Sequence, residues 1–303
     1  MNGQLPECWG HRGASAEFPE NTFASFEAAI AEGSDCIESD VHTTSDDRIL
    51  MFHDVSLERT TDGSGIIAEL PWEDCISKVR TLKAPHQPIP LFEQALDLLM
   101  RPDAKHIKFN VDIKPSNEPE RLFELMARLV KKIPNWETDL APRLILGLWH
   151  PSFILPAKRH LPTATLIHIT ASLSVADEYF FPHVTGFSVA FPLLLTSTGQ
   201  RFLDKAKQEG KSVGVWTVNR VDEMCVASKL GCQWILTDRP AIWRGVRDRL
   251  GQDFESTYSK EVPSSFWYST PTYYLVAHKL LNYYARKKII RFAGPLVRIP
   301  SPA

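Results

Sequence analysis

The sequence predicts an α/β protein whose core is a TIM-type (β/α)8 barrel, and three observations lead to this prediction. From residue 107 onward, short apolar segments with strand character alternate with helical segments, as a parallel sheet requires. Polar or charged side chains directly follow several of these strand candidates, which is where ligands bind in β/α folds. The length of 303 residues and the hydrophobic content of 44% suit one large barrel with a full core.

The first elements are a strand at residues 8–11 and a helix that begins at Thr22 and ends at Gly33. Residues 35–41 and 48–53 have the pattern of two further strands. Only about six residues separate these two segments, which is too few for a crossover helix, so we expect a hairpin-like excursion.

The next segment, residues 54–100, is less regular, and we predict an insertion on the carboxyl-terminal face of the barrel, with a helix at 91–100. The remaining strand candidates lie at residues 107–113, 144–149, 164–169, 186–190, 213–218 and 234–237. The remaining helical candidates lie at residues 119–132, 152–160, 198–209, 222–230 and 241–250. There are nine strand candidates in all, one more than the barrel needs, and we expect the surplus strand to come from residues 35–53.

The C-terminal segment differs in composition, so we divide the chain into a barrel at residues 1–250 and an extension at 251–303. From residue 262 onward there are six Lys and Arg and no Asp or Glu, and since the whole chain has a formal charge of −2, the preceding residues carry −8. Basic and aromatic residues together suit the headgroup zone of an anionic bilayer, on a helix at about 271–294. The alternative is a helix packed on the barrel wall. Nucleic-acid binding is disfavoured, because the acidic body would repel the phosphates.

The cysteines and the N-terminus indicate a cellular setting. Five scattered cysteines without CxxC spacing predict neither a disulfide framework nor a zinc site, and they favour a reducing compartment. The first strand begins by residue 8, which leaves no room for a signal peptide. No apolar run reaches the roughly 18 to 20 residues of a membrane-spanning helix. We therefore expect an intracellular protein.

Two strand ends carry side chains suited to phosphate and proton chemistry. Arg12 can donate two hydrogen bonds to two phosphate oxygens, and His11 can exchange protons near neutral pH. His53 follows an apolar run at another strand end, where a single histidine is more often structural than catalytic. Together the two imidazoles would make a general acid/base pair.

Carboxylates at two further strand ends suggest a cation site. Glu38 and Asp40 are two residues apart on a strand, so they point to the same side and repel each other unless a cation lies between them. Mg²⁺ or Ca²⁺ would suit these oxygen ligands. The alternative is a solvated face, which the apolar flanking residues argue against. Asp112 would be a third carboxylate, and Lys114 shares its face and suits a phosphate.

The order of these motifs resembles the glycerophosphodiester phosphodiesterase family over about residues 8–245. The matching motifs are His11-Arg12-Gly13, Glu20-Asn21-Thr22, Glu38-x-Asp40, His53-Asp54 with residues 59–63, Asp112-Ile113-Lys114, residues 216–219 and residues 237–240. The resemblance implies a TIM-type barrel and a phosphoric diester hydrolase that needs one divalent cation, Mg²⁺ or Ca²⁺.

The resemblance also implies roles for individual residues. Glu38, Asp40 and Asp112 would hold the cation. Many members of the family have Glu where this chain has Asp112, which predicts an altered cation preference or a ligand that acts through water. His11 and His53 would be the acid/base pair, with the assignment of acid and base left open.

The substrate contacts follow from the same resemblance. Arg12 and Lys114 would hold the phosphate. Trp216 resembles the family's tryptophan at the barrel mouth near the glycerol, although a buried core tryptophan is the alternative. His150, which follows Trp149 at a strand end, is the best further candidate for a pocket residue.

In the mechanism that the resemblance implies, the cation lowers the pKa of the glycerol 2-hydroxyl and one histidine removes its proton. The hydroxyl attacks the adjacent phosphorus, the other histidine protonates the departing alcohol, and water then opens the cyclic phosphate. A non-catalytic lipid-binding barrel would be expected to lack a histidine or a metal ligand, and this sequence keeps them all.

The tail and residues 147–151 resemble the fungal phosphatidylglycerol phospholipase C branch in particular. That implies cleavage of phosphatidylglycerol to diacylglycerol and glycerol phosphate, by an enzyme on the surface of the mitochondrion, the endoplasmic reticulum or a lipid droplet. Two alternatives share every catalytic residue, namely a soluble phosphodiesterase acting on deacylated phospholipids and a lysophospholipase D-like enzyme.

Overall fold

The structure is a computed structural model that describes residues 5–267 and 284–300. The strands of its sheet are β1 Glu7–His11, β2 Cys36–Thr43, β3 Ile49–Met51, β4 Lys108–Ile113, β5 Leu144–Leu148, β6 Thr165–Thr170, β7 Gly186–Ala190, β8 Ser212–Trp216 and β9 Trp234–Thr237. All of them except β3 run parallel around a closed ring, in which β1 pairs with β2 on one side and with β9 on the other. The predicted (β/α)8 barrel is confirmed.

The surplus strand is β3. It pairs antiparallel with the end of β2, with Val41 opposite Met51, and lies outside the barrel ring. β2 is a full barrel strand, because it pairs in parallel with both β1 and β4. The hairpin-like connection predicted for residues 35–53 is therefore confirmed.

Helices cover the outside of the barrel. Within residues 5–267 they are α1 Phe23–Ala31, α2 Phe92–Met100, α3 Pro119–Val130, α4 Trp136–Asp139, α5 Ile154–His160, α6 Leu173–Val175, α7 Phe191–Leu194, α8 Ser197–Gln208, α9 Val221–Lys229, α10 Pro240–Gln252 and α11 Phe254–Glu261. Thr22 caps α1 reciprocally, since its hydroxyl accepts from the Ser25 N–H and the Ser25 hydroxyl accepts from the Thr22 N–H. The predicted helix ends differ from these by one or two residues, as is usual where helices fray.

The insertion is shorter than predicted. α2 belongs to the barrel, because Phe92 and Leu96 are fully buried in the main core beneath it. The irregular segment before α2 has a small core of its own, which consists of Leu50, Phe52, Leu57, Ile67, Ile76, Val79, Ile89 and Leu91. A second core of this size allows the segment to keep a fixed shape above the barrel.

The packing on the main core continues past the predicted domain boundary at residue 250. α10 runs through that position, and the side chains of Tyr258 in α11 and of Val262 and Phe266 after it are still buried in the main core. Part of the helix predicted at 271–294 lies outside the described residues, but residues 284–293 are helical. No helix in the described ranges is long and apolar enough to cross a membrane.

The barrel interior has an apolar floor. Alternate residues of each strand face inward, and Trp9, Ile145, Ile167 and Trp234 form one buried cluster there. The rings of Trp9 and Trp234 stack with their centroids 4.4 Å apart. Residue 214 on the neighbouring strand β8 is glycine because a Cβ there would lie 2.0 Å from the Trp234 ring. Catalytic side chains can therefore lie only above this floor.

Gly214→Ala should destabilise the fold by about 2 kcal/mol, because the added methyl forces the stacked tryptophans apart. Gly245→Ala is the matched control, since a Cβ there meets only the Arg249 guanidinium, at 3.7 Å. In α10 alanine should stabilise by about 1 kcal/mol relative to glycine. Urea unfolding midpoints measure both changes, and an equal effect of the two substitutions would contradict the packing argument.

Candidate active site

The inward-facing residues at the carboxyl ends of the strands surround one cavity of about 650 Å³. The predicted site residues that line it are His11, Arg12, Glu38, His53, Asp112, Lys114 and Trp216. Strand register explains why they meet, because Glu38 lies beside His11 on β1, and Asp40 lies beside Asp112 on β4. The parallel barrel thus brings together side chains that are far apart in sequence.

Three carboxylates lie together above the apolar floor of the barrel, and two of them, Glu38 and Asp112, line the cavity. Glu38, Asp40 and Asp112 are all buried, and one oxygen from each lies within 4.8 Å of the others. Burial, and then repulsion by Asp40 and Asp112, raises the pKa of Glu38 well above its usual value. Oxygen ligands of Mg²⁺ and Ca²⁺ lie about 2.0–2.6 Å from the ion, so oxygens this close could share one cation. Donor type, spacing and charge therefore all fit a divalent cation, as predicted.

Two permanent cations flank the carboxylates. Lys114 Nζ lies 2.6 Å from Asp40 Oδ1 and 2.7 Å from Asp112 Oδ2, and Arg12 Nε lies 3.4 Å from Asp40 Oδ2. Burial alone would raise the pKa of Asp40, but Lys114 and Arg12 outweigh it and lower that pKa well below its usual value. Counting Glu38, the three acids and two bases carry a formal charge of −1. A divalent cation would make this +1, opposite in sign to a phosphodiester.

Two residues of the first loop hold the carboxylates through unusual backbone conformations. Arg12 has φ of 54° and Asn21 has φ of 57°, both in the left-handed region that residues other than glycine rarely adopt. In these conformations the Arg12 N–H donates to Glu38 Oε2 at 2.9 Å, and Asn21 Nδ2 donates to Asp40 Oδ2 at 2.8 Å. Such strain at a site is typical of residues whose position matters for function.

His11 is oriented by a carboxylate from the last strand of the barrel. Its Nδ1 lies 2.6 Å from Asp238 Oδ1, which also accepts from the Ser15 hydroxyl at 2.9 Å. Asn219 Nδ2 donates to the other carboxylate oxygen at 2.6 Å. Burial opposes ionisation of Asp238, but the hydrogen bonds from His11, Asn219 and Ser15 lower its pKa to about 2. The carboxylate is therefore ionised at neutral pH and holds the imidazole with Nε2 free to exchange a proton.

His53 has a similar partner within the insertion. Its Nδ1 lies 2.6 Å from Asp54 Oδ1, and Arg59 Nε donates to the other oxygen of Asp54. Glu20 accepts from Arg59 Nη2 at 2.6 Å and from Arg12 Nη1 at 2.9 Å. It therefore connects Arg12 to the Arg59 side chain that holds Asp54. Burial is the main cause that lowers the pKa of His53. This favours the neutral imidazole, which can accept a proton.

Sequence reasoning assigned no role to these supporting residues. Asp238 and Asn219 lie in motifs that matched the family, but only their position relative to His11 shows what they do. A signal was present for Asp238, since it alternates with the inward-facing Trp234 and Leu236 of β9. Arg59 and Glu20 could not have been connected, because the shape of the insertion is not readable from its sequence.

Trp216 and His150 have different positions. Trp216 lines the cavity, packs edge to face on Trp149 at 5.6 Å, and donates from Nε1 to the Ser188 carbonyl at 2.9 Å. His150 is buried, is not among the residues that line the cavity, and places its Nδ1 2.8 Å from the Ser152 hydroxyl. It lies outside the cavity because it caps the turn that begins at Pro151. We therefore leave His150 out of the proposed substrate contacts.

Asp238→Asn should lower kcat for phosphodiester hydrolysis about a hundredfold, since an amide cannot balance the charge of a protonated His11. Asp248→Asn, at an exposed position of α10, removes the same charge away from the cavity and should leave kcat unchanged. Initial rates at saturating substrate measure both variants. Equal kcat in Asp238→Asn and the parent protein would show that His11 needs no such partner.

The sequence is similar to those of several phosphodiesterases. A glycerophosphodiester phosphodiesterase from Caldanaerobacter subterraneus subsp. tengcongensis is 26% identical over 235 residues, which cover 76% of this chain and 93% of the relative. The lysophospholipase D GDPD1 of Rattus norvegicus is 24% identical over 269 residues, which cover 76% of this chain and 82% of the relative.

Solved structures share the fold, and the family match covers all of the predicted site residues. An Oleispira antarctica phosphodiesterase in complex with the product sn-glycerol-3-phosphate has a TM-score of 0.67 at 21% identity, covering 80% of this chain and 97% of its own. A putative glycerophosphoryl diester phosphodiesterase from Agrobacterium tumefaciens has a TM-score of 0.70 at 20% identity, covering 82% of this chain and 100% of its own. The Glycerophosphoryl diester phosphodiesterase family matches residues 11–242. The chain belongs to this family and is a phosphoric diester hydrolase.

Proposed function

We propose that the protein cleaves glycerophospholipid diesters, with phosphatidylglycerol as a substrate that yields diacylglycerol and glycerol phosphate. The observation that carries this proposal is the composition of the cavity. One side presents His11, His53 and the buried carboxylates, and the opposite side presents Ile169, Ala171 and other apolar residues. A phosphodiester with a hydrocarbon-bearing alcohol would satisfy both sides.

The proposed chemistry uses the residues of the charged side. A divalent cation bound by Glu38, Asp40 and Asp112 would supply Lewis acidity that makes the glycerol 2-hydroxyl easier to deprotonate. Arg12 and Lys114 offset the charge of the phosphate and orient it for attack. We assign Mg²⁺ or Ca²⁺ to the site, because the donors are all oxygens.

The two histidines carry the protons. One imidazole takes the proton of the glycerol 2-hydroxyl while the hydroxyl oxygen bonds to phosphorus. The other imidazole gives a proton to the departing alcohol as the P–O bond to that alcohol breaks. Water then opens the cyclic phosphate, and the same two groups return to their starting protonation states. Asp238 holds His11 in position for this exchange, and Asp54 holds His53.

The names of the relatives favour a second candidate. A glycerophosphodiester phosphodiesterase and a lysophospholipase D are among the related sequences, and these activities need no diacylglycerol leaving group. The same catalytic residues would then act on deacylated or singly acylated diesters. The two candidates differ only in what the cavity accepts as the alcohol.

We also propose that the protein attaches peripherally to an intracellular anionic membrane through its C-terminal extension. In the helical residues 284–293, the side chains of Arg286, Lys287 and Arg291 are exposed on the surface. Basic side chains near an anionic bilayer contribute about 1 kcal/mol each to its binding.

The reaction is tested with phosphatidylglycerol vesicles and with glycerophosphocholine. We expect release of diacylglycerol that stops with EDTA, because three buried carboxylates would lose their cation. His53→Ala should lower the rate roughly a thousandfold, as loss of a general acid or base does. Thin-layer chromatography of the lipid products and phosphate analysis of the water-soluble products measure both.

The matched control for this experiment is His106→Ala, at an exposed position outside the cavity, which should keep full activity. Cleavage of glycerophosphocholine alone would sink the phospholipase proposal and favour the second candidate. Tight lipid binding without cleavage of either diester would identify a non-catalytic lipid-binding barrel.

The double substitution Arg286→Gln and Arg291→Gln should weaken sedimentation with phosphatidylglycerol vesicles roughly thirtyfold, which corresponds to about 2 kcal/mol for two charges. Lys131→Gln with Lys132→Gln removes an equal charge at exposed positions after α3 and should change sedimentation little. Equal binding by both double variants and the parent would refute the membrane role of the extension.

A further inference from the structure

The described part of the C-terminal extension lies over the catalytic cavity. Residues 284–293 are helical, and one face of this helix lines the same cavity as His11 and Lys114. The side chains on that face belong to Tyr284, Ala285, Lys288, Ile289 and Phe292. Their spacing of three, four and seven residues puts them along a single stripe of an α-helix.

The stripe is mainly apolar, and it shares the cavity with apolar side chains of the barrel. The barrel residues that line this cavity include Ile169, Ala171 and Leu236, at the ends of β6 and β9. Ile289 is 4% exposed, whereas Phe292 is 42% exposed although it lines the cavity. A hydrocarbon chain between the helix and the barrel would therefore cover the Phe292 ring and gain apolar contact on both sides.

The segment after the helix is attached to the barrel by specific contacts. Arg298 Nη2 lies 3.0 Å from Glu178 Oε1, and His183 Nε2 lies 3.2 Å from the Ile299 carbonyl oxygen. Leu296 also packs against the main core. The helix is thus held at the cavity from its carboxyl-terminal side.

We propose that residues 284–293 form one wall of the substrate site, with Ile289 and Phe292 as specificity-determining residues that bind the hydrocarbon part of the departing alcohol. The proposal rests on the phosphodiester hydrolysis proposed above and names the part of the substrate that the extension recognises. The phosphate belongs at the charged side near Lys114, so the alcohol oxygen that leaves must point toward the apolar wall. The extension then selects substrates in addition to any contact with a membrane.

The experiment compares two diesters that differ only in their acyl chains, dihexanoylphosphatidylglycerol and glycerophosphoglycerol. Both dissolve as monomers, so membrane attachment does not affect the rates. Phe292→Ala should lower kcat/KM for the acylated diester roughly tenfold relative to the deacylated one, mainly through KM, because a hydrocarbon contact is lost. Ile289→Ala should act in the same direction.

Ile290→Ala is the matched control, since Ile290 is 38% exposed on the same helix but does not line the cavity. It should leave the ratio of the two kcat/KM values unchanged. Because both diesters are assayed on one preparation, the ratio does not depend on the fraction of a variant that folds. An unchanged ratio in Phe292→Ala and Ile289→Ala would overturn the proposal.

The parent protein distinguishes this inference from the proposed reaction. Hydrolysis of glycerophosphoglycerol without hydrolysis of the acylated diester would overturn the wall as a chain-binding site and leave the phosphodiesterase intact. Hydrolysis of neither diester would refute the proposed function itself. Both the inference and the proposed function are supported if the parent protein cleaves the acylated diester faster than the deacylated one and Phe292→Ala removes that difference.

Discussion

The site depends on the burial of three carboxylates at the ends of two adjacent strands. Glu38, Asp40 and Asp112 would repel one another at this depth, and burial disfavours their charged forms. Lys114 and Arg12 offset part of that repulsion through direct contacts with Asp40. The first loop has a left-handed backbone at Arg12 and Asn21, and through it these residues donate further hydrogen bonds to Glu38 and Asp40. The local fold of this loop therefore matches the charge of the carboxylates.

Much of the barrel and of its charged site was predictable from the sequence, because both depend on short-range patterns. Strand ends are marked by the change from apolar to polar residues, and a parallel barrel brings all such ends to one face. These patterns are sufficient to group His11, Glu38, His53 and Asp112 in one site, and all four line the same cavity.

What the sequence could not show depends on long-range geometry. The pairing of Asp238 with His11 requires barrel closure, and the bridge from Arg59 to Glu20 requires the fold of the insertion. The prediction that residues 54–100 form one insertion was wrong for α2, since the depth of Phe92 in the core depends on its neighbours across the barrel. The position of the extension over the cavity is likewise set by tertiary packing, which composition alone does not predict.

The contact between His11 and Asp238 joins the first and last strands of the barrel across 227 positions of the chain. During synthesis on the ribosome, the three buried carboxylates and both histidines emerge long before this aspartate does. A nascent or truncated chain would therefore hold most of the catalytic groups with one imidazole still unoriented. Full hydrolytic competence therefore has to wait until the ring closes.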